Sequence, residues 1–490
     1  MPHTDAGVKH DRMPRLHEPW RNPALVPCMK GPVSMNAKPA QPASGDLSAE
    51  GDINLSPRRK QWEAERLAPA TRALLAEDAK YFLHQSLSTP CFNALASASG
   101  IWLEDVEGRR YMDFHGNSVH QVGHGHPRVV QAVKDALDTL PFSPRRFTNE
   151  AAVTLARRLV ELAPGNLAKV LFAPGGTSAI GMALKLARVA TGRHKTVSMW
   201  DAFHGASLDA ISVGGEALFR RGMGPLLPGT EHVQPCDPRA CHFGCGGTCN
   251  ARCAEYVDYV LGKEEDVAAV VVETIRSTDA QIPPRAYYET LRRACDRHGA
   301  LLILDEIPIG LGRTGAMFAF EHYGIVPDMV VLGKGLGGGV FPMAALIARD
   351  GLDVAAERAL GHYTHEKSSL GCAAALATLD VIDDERLLER ANRLGAHALG
   401  RLREMQQRLP IVADVRGIGL LLGIELVDPA RGAPARDAAE RVLYDCLAQG
   451  LSFKVGQGNV LVLSPPLVIA DQDLDRAFDI VEAALRTASR

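Results

Sequence analysis

Two short apolar runs near the middle of the chain each lead into a residue that can do chemistry. Leu301–Leu304 runs into Asp305, and Met329–Leu332 runs through Gly333 into Lys334. Runs of this length, flanked by Gly and Pro, read as strands buried on both faces of a parallel sheet. The carboxyl ends of such strands open onto the crevice where open α/β sheets bind ligands. A lysine is costly at a buried strand end unless its amine is used. The pair reads as an amine that forms a Schiff base and a carboxylate that faces a pyridinium nitrogen. A ring kept protonated is an electron sink that stabilises a carbanion, so the expected cofactor is pyridoxal 5'-phosphate, PLP. The lysine then serves twice, holding the aldehyde and, once displaced, shuttling the proton.

Other stretches are read against this pair. Gly333, Gly335 and Gly338 also match the dinucleotide pattern G-x-G-x-x-G. That pattern should open a helix, whereas Phe341–Ala348 reads as another strand, so the Schiff-base reading is preferred. Pro174-Gly175-Gly176-Thr177-Ser178 lies between a predicted strand, Lys169–Phe172, and a predicted helix, Ser178–Ala190. It is an ordinary capped helix start or a phosphate cradle of free N–H groups. Phe203-His204-Gly205 follows the run Thr196–Trp200. Phe203 is either core or a stacking partner for a flat ring, with Gly205 leaving room for it.

The elements that must position these residues follow from periodicity. Strands and helices alternate from Val129 to about Ala348, the signature of a parallel sheet covered by helices. The expected architecture is α/β, with a mainly parallel seven-stranded sheet in a large domain and a smaller α+β domain. Residues 1–55, rich in Pro, Ala, Asn and Gly, read as a flexible tail. Residues 56–115 read as an N-terminal segment with helical spacing and then a hairpin whose turn is Glu107-Gly108. The large domain is expected over 116–371 and the small one over 372–490.

With 54 basic and 57 acidic residues, a net charge of −3 gives no reason to expect nucleic acid or an anionic membrane as partner. No run is long enough for a membrane span, and no signal pattern opens the chain. A cytoplasmic protein with reduced cysteines is expected. Cys236, Cys241, Cys245, Cys249 and Cys253 crowd an insertion over 232–253. They read as a reduced thiol loop or as metal ligands, with Cys241, Cys245, Cys249 and Cys253 as the candidate set. If Thr248–Leu261 is helical, Cys249 and Cys253 share one face. Of the histidines, His126 is expected to begin a helix, and His120 or His124 to line the mouth of the site.

At this point the chain resembles the class III aminotransferases, PLP-dependent enzymes of fold type I. The resemblance rests on DEIPIGLGRTG at Asp305–Gly315, Gly333-Lys334-Gly335, AFHG at Ala202–Gly205 and ALKLAR at Ala183–Arg188. It also rests on GCAAALATLDVI at Gly371–Ile382 and VRGIGLLLGIEL at Val415–Leu426. It implies a homodimer, or a dimer of dimers, with the site at the subunit interface. Lys334 would be the Schiff-base lysine and Asp305 the ring-nitrogen partner. Ile307 and Phe203 would sandwich the ring, with His204 beside it. Gly176 and Thr177 would hold the phosphate, helped by Thr364 of the other subunit. Arg416 matches an arginine that binds a substrate carboxylate in many members.

Departures from the family pattern point to an altered substrate or reaction. Pro308 stands where Gln is usual, Glu273-Thr274 replaces Glu-Pro, and Arg276 stands where a neutral residue is common. His365-Glu366-Lys367-Ser368-Ser369 replaces the usual Gly-Asn-Pro. Arg276 is a fork suited to phosphate, phosphonate or carboxylate, or an ion-paired structural arginine. With the loop Gly116–Pro127, these features resemble a lyase branch of the family. The expected reaction is elimination that releases an aldehyde and ammonia from a hydroxy-aminoethylphosphonate, with Arg276 and Lys367 or His365 near the phosphonate. The alternatives are amino transfer from an ω-amino acid or amine to a keto acid, and a phospho-lyase reaction on phosphoethanolamine.

Overall fold

A computed structural model describes residues 56–83, 85, 93–245 and 249–489. The expected N-terminal tail lies outside the described residues. Seven strands form the main sheet, in the spatial order Leu167–Ala173, Ala344–Arg349, Met329–Leu332, Leu301–Asp305, Val267–Glu273, Lys195–Met199 and Thr230–Val233. Ala344–Arg349 runs antiparallel to both neighbours, and every other pairing is parallel. The central strands are apolar throughout because helices cover both faces; Val267–Glu273 is buried at every position.

The helix after the first strand runs Gly176–Thr191, starting two residues before the predicted Ser178. It is apolar nearly all round, as a helix buried against a sheet must be. Gly192 ends it in the left-handed region at φ 67°. Neighbouring strands place Glu273 directly beside Asp305 in register, so two carboxylates emerge together at the carboxyl edge of the sheet.

A second sheet of four antiparallel strands is built from Val412–Ile418, Leu421–Leu426, Val460–Leu463 and Lys454–Gly456. A third joins the ends of the chain. The strands Leu95–Ser99, Trp102–Asp105 and Arg110–Asp113 form the expected hairpin region, and Leu451–Ser452 adds in parallel to the last of them. Trp62, Leu67 and Tyr111 pack with Tyr444 and Leu447 beneath this sheet.

The loop after Asp305 is fastened at several points. Buried Glu306 accepts N–H bonds from Ala319 at 2.7 Å and Phe320 at 2.8 Å, and the Thr274 hydroxyl donates to it at 3.0 Å. Burial pushes the Glu306 carboxyl up to about 7. Arg313, also buried, donates to the carbonyls of Leu420 at 3.1 Å and of Pro465. These bonds stitch the main-sheet loop to the second sheet, which brings strand Lys454–Gly456 over the carboxyl edge.

Candidate active site

Asp305 and Lys334 line one cavity of about 300 Å³. Gly176, Thr177, Phe203, His204, Ile307 and Glu273 share its wall. The parallel register delivers this grouping, because each residue follows or ends a strand of the same sheet.

Asp305 is held at both oxygens. The Ile307 N–H donates to Oδ1 at 3.0 Å, and Nδ1 of His204 lies 2.8 Å from Oδ2. Burial acts to lower the His204 pKa, but the bond to Asp305 and the charges of Asp305 and Glu273 outweigh it, so the net shift is upward. Glu273 accepts the Phe203 N–H at 2.9 Å. Burial raises its pKa, against the opposing pull of His204. Lys334 sits at φ 43°, a left-handed conformation that a non-glycine residue holds only where its surroundings over-determine it. Phe203 packs against Phe219 with ring centroids 4.5 Å apart and the planes tilted by 37°.

The wall fits a flat, phosphate-bearing aldehyde. No side chain caps the helix that begins at Gly176, so its first-turn N–H groups remain for an anion. Side chains are excluded where such a group would lie. A Cβ on Gly176 would meet Cδ1 of Ile307 at 2.6 Å, and one on Gly205 would meet Thr177 Cβ at 2.8 Å. Nε2 of His204 is buried and bonds no protein atom.

The substrate candidates are placed differently. Arg276 lies behind the cavity, not in its wall. Its Nε donates to Asp279 Oδ1 at 2.9 Å, Nη2 donates to the other oxygen, and Nη1 is 3.7 Å from Asp201. Arg416 donates to the Asp279 carbonyl at 3.0 Å and to Asp414 and Glu425 at 2.8 and 2.9 Å. Both arginines are therefore engaged by carboxylates of this chain. Thr364, His365 and Lys367 are exposed on this chain and absent from the wall. The Lys367 backbone carbonyl accepts the Asn149 amide at 3.0 Å.

Ser277, Thr278, Lys454, Val462 and Ser464 line the wall and escaped the sequence reading, whereas Asn117 and Ser118 belong to the loop Gly116–Pro127 already singled out there. His115, Asn117 and Ser118 come from the loop after Asp113, and Lys454 comes from the second sheet. Lys454 is only 7% exposed. The available signal was one lysine inside the apolar run Leu451–Val455. His120 and His124 do not line the mouth as expected. His124 Nε2 lies 2.9 Å from Asp113 Oδ2, and His120 Nε2 lies 3.1 Å from the Asp113 carbonyl. They brace the loop that presents His115, Asn117 and Ser118. His126 does cap a helix, accepting the Arg128 N–H at 3.3 Å.

The class III aminotransferase family matches residues 84–485, and the chain belongs to it; it is a PLP-dependent enzyme. The chain is 49% identical over 453 residues to the (R)-1-hydroxy-2-aminoethylphosphonate ammonia-lyase of Vibrio splendidus (strain 12B01), covering 89% of this chain and 95% of that one. It is 37% identical over 411 residues to an acetylornithine aminotransferase of Methanopyrus kandleri, covering 84% and 98%. Among solved structures, a transaminase from the marine bacterium Virgibacillus aligns with a TM-score of 0.79 at 26% identity, over 85% of this chain and 99% of that one. A PLP-bound amine transaminase from an uncultivated Pseudomonas species aligns at 0.77 and 28%, over 83% and 99%. These neighbours agree with the fold type I architecture expected from the sequence. Among the described residues, no helix is long and apolar enough to cross a membrane.

Proposed function

We propose that this chain is an ammonia-lyase that acts on a 1-hydroxy-2-aminoethylphosphonate. The observation that carries this reading is the near end-to-end similarity to the Vibrio splendidus lyase, joined to a cavity that holds both Asp305 and Lys334. PLP supplies the electron sink that makes loss of a proton beside nitrogen feasible. The first-turn N–H groups at Gly176 and Thr177 would hold its phosphate, Asp305 its ring nitrogen, and Phe203 and Ile307 its two faces. Lys334 would hold its aldehyde carbon and then take the proton from the nitrogen-bearing carbon of the substrate. The hydroxyl on the neighbouring carbon leaves as water, and a water returns when the carbon–nitrogen bond is hydrolysed. The net products are an aldehyde and ammonia, with no second amino-acceptor substrate.

For the phosphonate we assign Lys454, because it is the lysine that the second sheet brings into the same wall as Lys334. Arg276 and Arg416, the residues first suggested by sequence, do not line that wall. We also infer a cytoplasmic homodimer or dimer of dimers, in which exposed Thr364 of one subunit completes the site of the other. Eight free cysteines among the described residues suit a reducing compartment.

The test is to incubate the PLP-loaded enzyme with candidate amines and no keto acid. Sustained release of ammonia and aldehyde from the hydroxy-aminophosphonate is expected. A single turnover that stops, and resumes only when a keto acid is added, would instead make the protein a transaminase. Release of phosphate from phosphoethanolamine would make it a phospho-lyase.

A further inference from the structure

The Cys-rich insertion lies outside the cavity, and the reaction does not use it. Three of its thiols converge from different places. Cys236 follows the strand Thr230–Val233, Cys249 precedes the helix Arg252–Glu264, and Cys253 lies in the first turn of that helix. The helix therefore starts later than the sequence suggested, and Cys249 and Cys253 do not share a helical face. Ala251, in the left-handed region at φ 60°, turns the chain between them. The three sulfurs lie within 4.8 Å of one another, and Cys236 and Cys249 are 3.6 Å apart. A disulfide needs about 2.05 Å. A tetrahedron with zinc–sulfur bonds of about 2.3 Å has edges of about 3.8 Å, close to the spacing seen.

We propose that Cys236, Cys249 and Cys253 bind a structural zinc ion as thiolates. The grouping differs from the four evenly spaced cysteines picked out by sequence, because Cys236 joins it and Cys241 and Cys245 stand on the intervening turn. Cys236 and Cys253 are buried and Cys249 is half-buried, as in a closed site whose role is to staple a loop. The Ala251 N–H donates to Cys249 Sγ at 3.4 Å, a bond that favours a thiolate there. Binding releases the thiol protons to solvent and involves no change of oxidation state.

The stapled loop bears on the arginines behind the site. Asp237, next to Cys236, lies 3.9 Å from Arg276 Nη2. Arg239 reaches Asp414 and Glu425 at 2.6 Å each, the same carboxylates that hold Arg416. The ion thus fixes a loop that links the main sheet to the second sheet.

The test is the metal content of the full-length, PLP-loaded enzyme purified under reducing conditions. About one equivalent of zinc per chain is expected. Cobalt(II) exchanged into the stripped enzyme should show thiolate charge-transfer absorption and tetrahedral ligand-field bands. Cys249→Ser and Cys253→Ser should lose the metal, whereas Cys295→Ser, a buried cysteine outside the cluster, should keep it. Should the serine variants fail to fold, the zinc count and cobalt spectrum of the wild-type enzyme decide alone. Far less than one equivalent after incubation with zinc, or a Cys236–Cys249 disulfide found by mass spectrometry in the reduced preparation, would overturn the proposal.

Discussion

Nδ1 of His204 lies 2.8 Å from Oδ2 of Asp305, and both side chains are almost fully buried. The imidazole and the Ile307 N–H together fix the carboxylate plane, so Asp305 needs no reorganisation to meet a cationic ring nitrogen. Asp305→Asn removes the charge and keeps the shape. We expect its kcat/KM for ammonia release to fall at least ~100-fold, about 2.7 kcal/mol. His204→Gln should cost less, since an amide can still donate. Because the folded pKa of His204 is raised, its stabilising contribution is complete below the ordinary value of 6.5 and lost as pH rises through the folded value. Thermal melts of the wild-type enzyme should therefore lose stability from pH 6.5 upward by a component that His204→Gln lacks.

Lys334→Ala should remove both the covalent anchor and the proton acceptor. A loss of ~8 kcal/mol or more in barrier lowering is expected, so turnover should drop to background. The yellow absorption of the lysine-bound cofactor should disappear as well. Normal turnover by this variant would refute the central assignment.

Lys454 and Arg276 separate substrate binding from stability. Lys454→Met should raise KM for the phosphonate substrate by about 10- to 100-fold, the worth of one hydrogen bond to a charged group, with a smaller effect on kcat. Arg276→Ala should act on stability, because it strands buried Asp279 without its partner. A loss of about 3–5 kcal/mol is expected, read as a lower midpoint in denaturant. If Arg276→Ala instead left stability intact and raised KM, Arg276 would be the substrate residue.

The loop braced by Asp113 should make stability fall in mild acid. Burial depresses His120 to about 4; Asp113 opposes that shift, while Arg313 and His124 add to it. Between pH 6.5 and about 4 the unfolded chain binds a proton that the folded chain does not. The His120 contribution to stability must then drop as pH falls through that window, by about 3 kcal/mol in all. Burial alone would raise Asp113, but His124, His120 and the N–H groups of His115 and Gly116 hold it well below its ordinary value of 3.8. Its stabilisation is lost only below that value, so the two windows do not overlap. Glu306, raised to about 7, contributes with the opposite sign over the same window, so the His120 effect is read as a difference: in urea titrations from pH 7 to 4.5 the wild-type protein should lose stability relative to His120→Asn as pH falls.

The sequence by itself determined the cofactor, the family and the main sheet. Asp305 and Lys334 end apolar runs, and a parallel sheet has one way to orient such ends, so chemistry and topology could be read together. The helix start after His126, the hairpin and the strand Ala344–Arg349 followed from local turn and periodicity signals. What only the tertiary structure decided is which charges meet which. Arg276 and Arg416 carry the right chemistry for a substrate anion. Their partners Asp279, Asp414 and Glu425 come from a tight turn and from paired strands whose spacing no local pattern reveals. Lys454 reaches the cavity because Arg313 and the loop after Asp305 fasten the second sheet over the first. The thiols regroup for the same reason. Even spacing along a chain fixes contacts only within one helix, and Cys236 joins Cys249 and Cys253 through the fold.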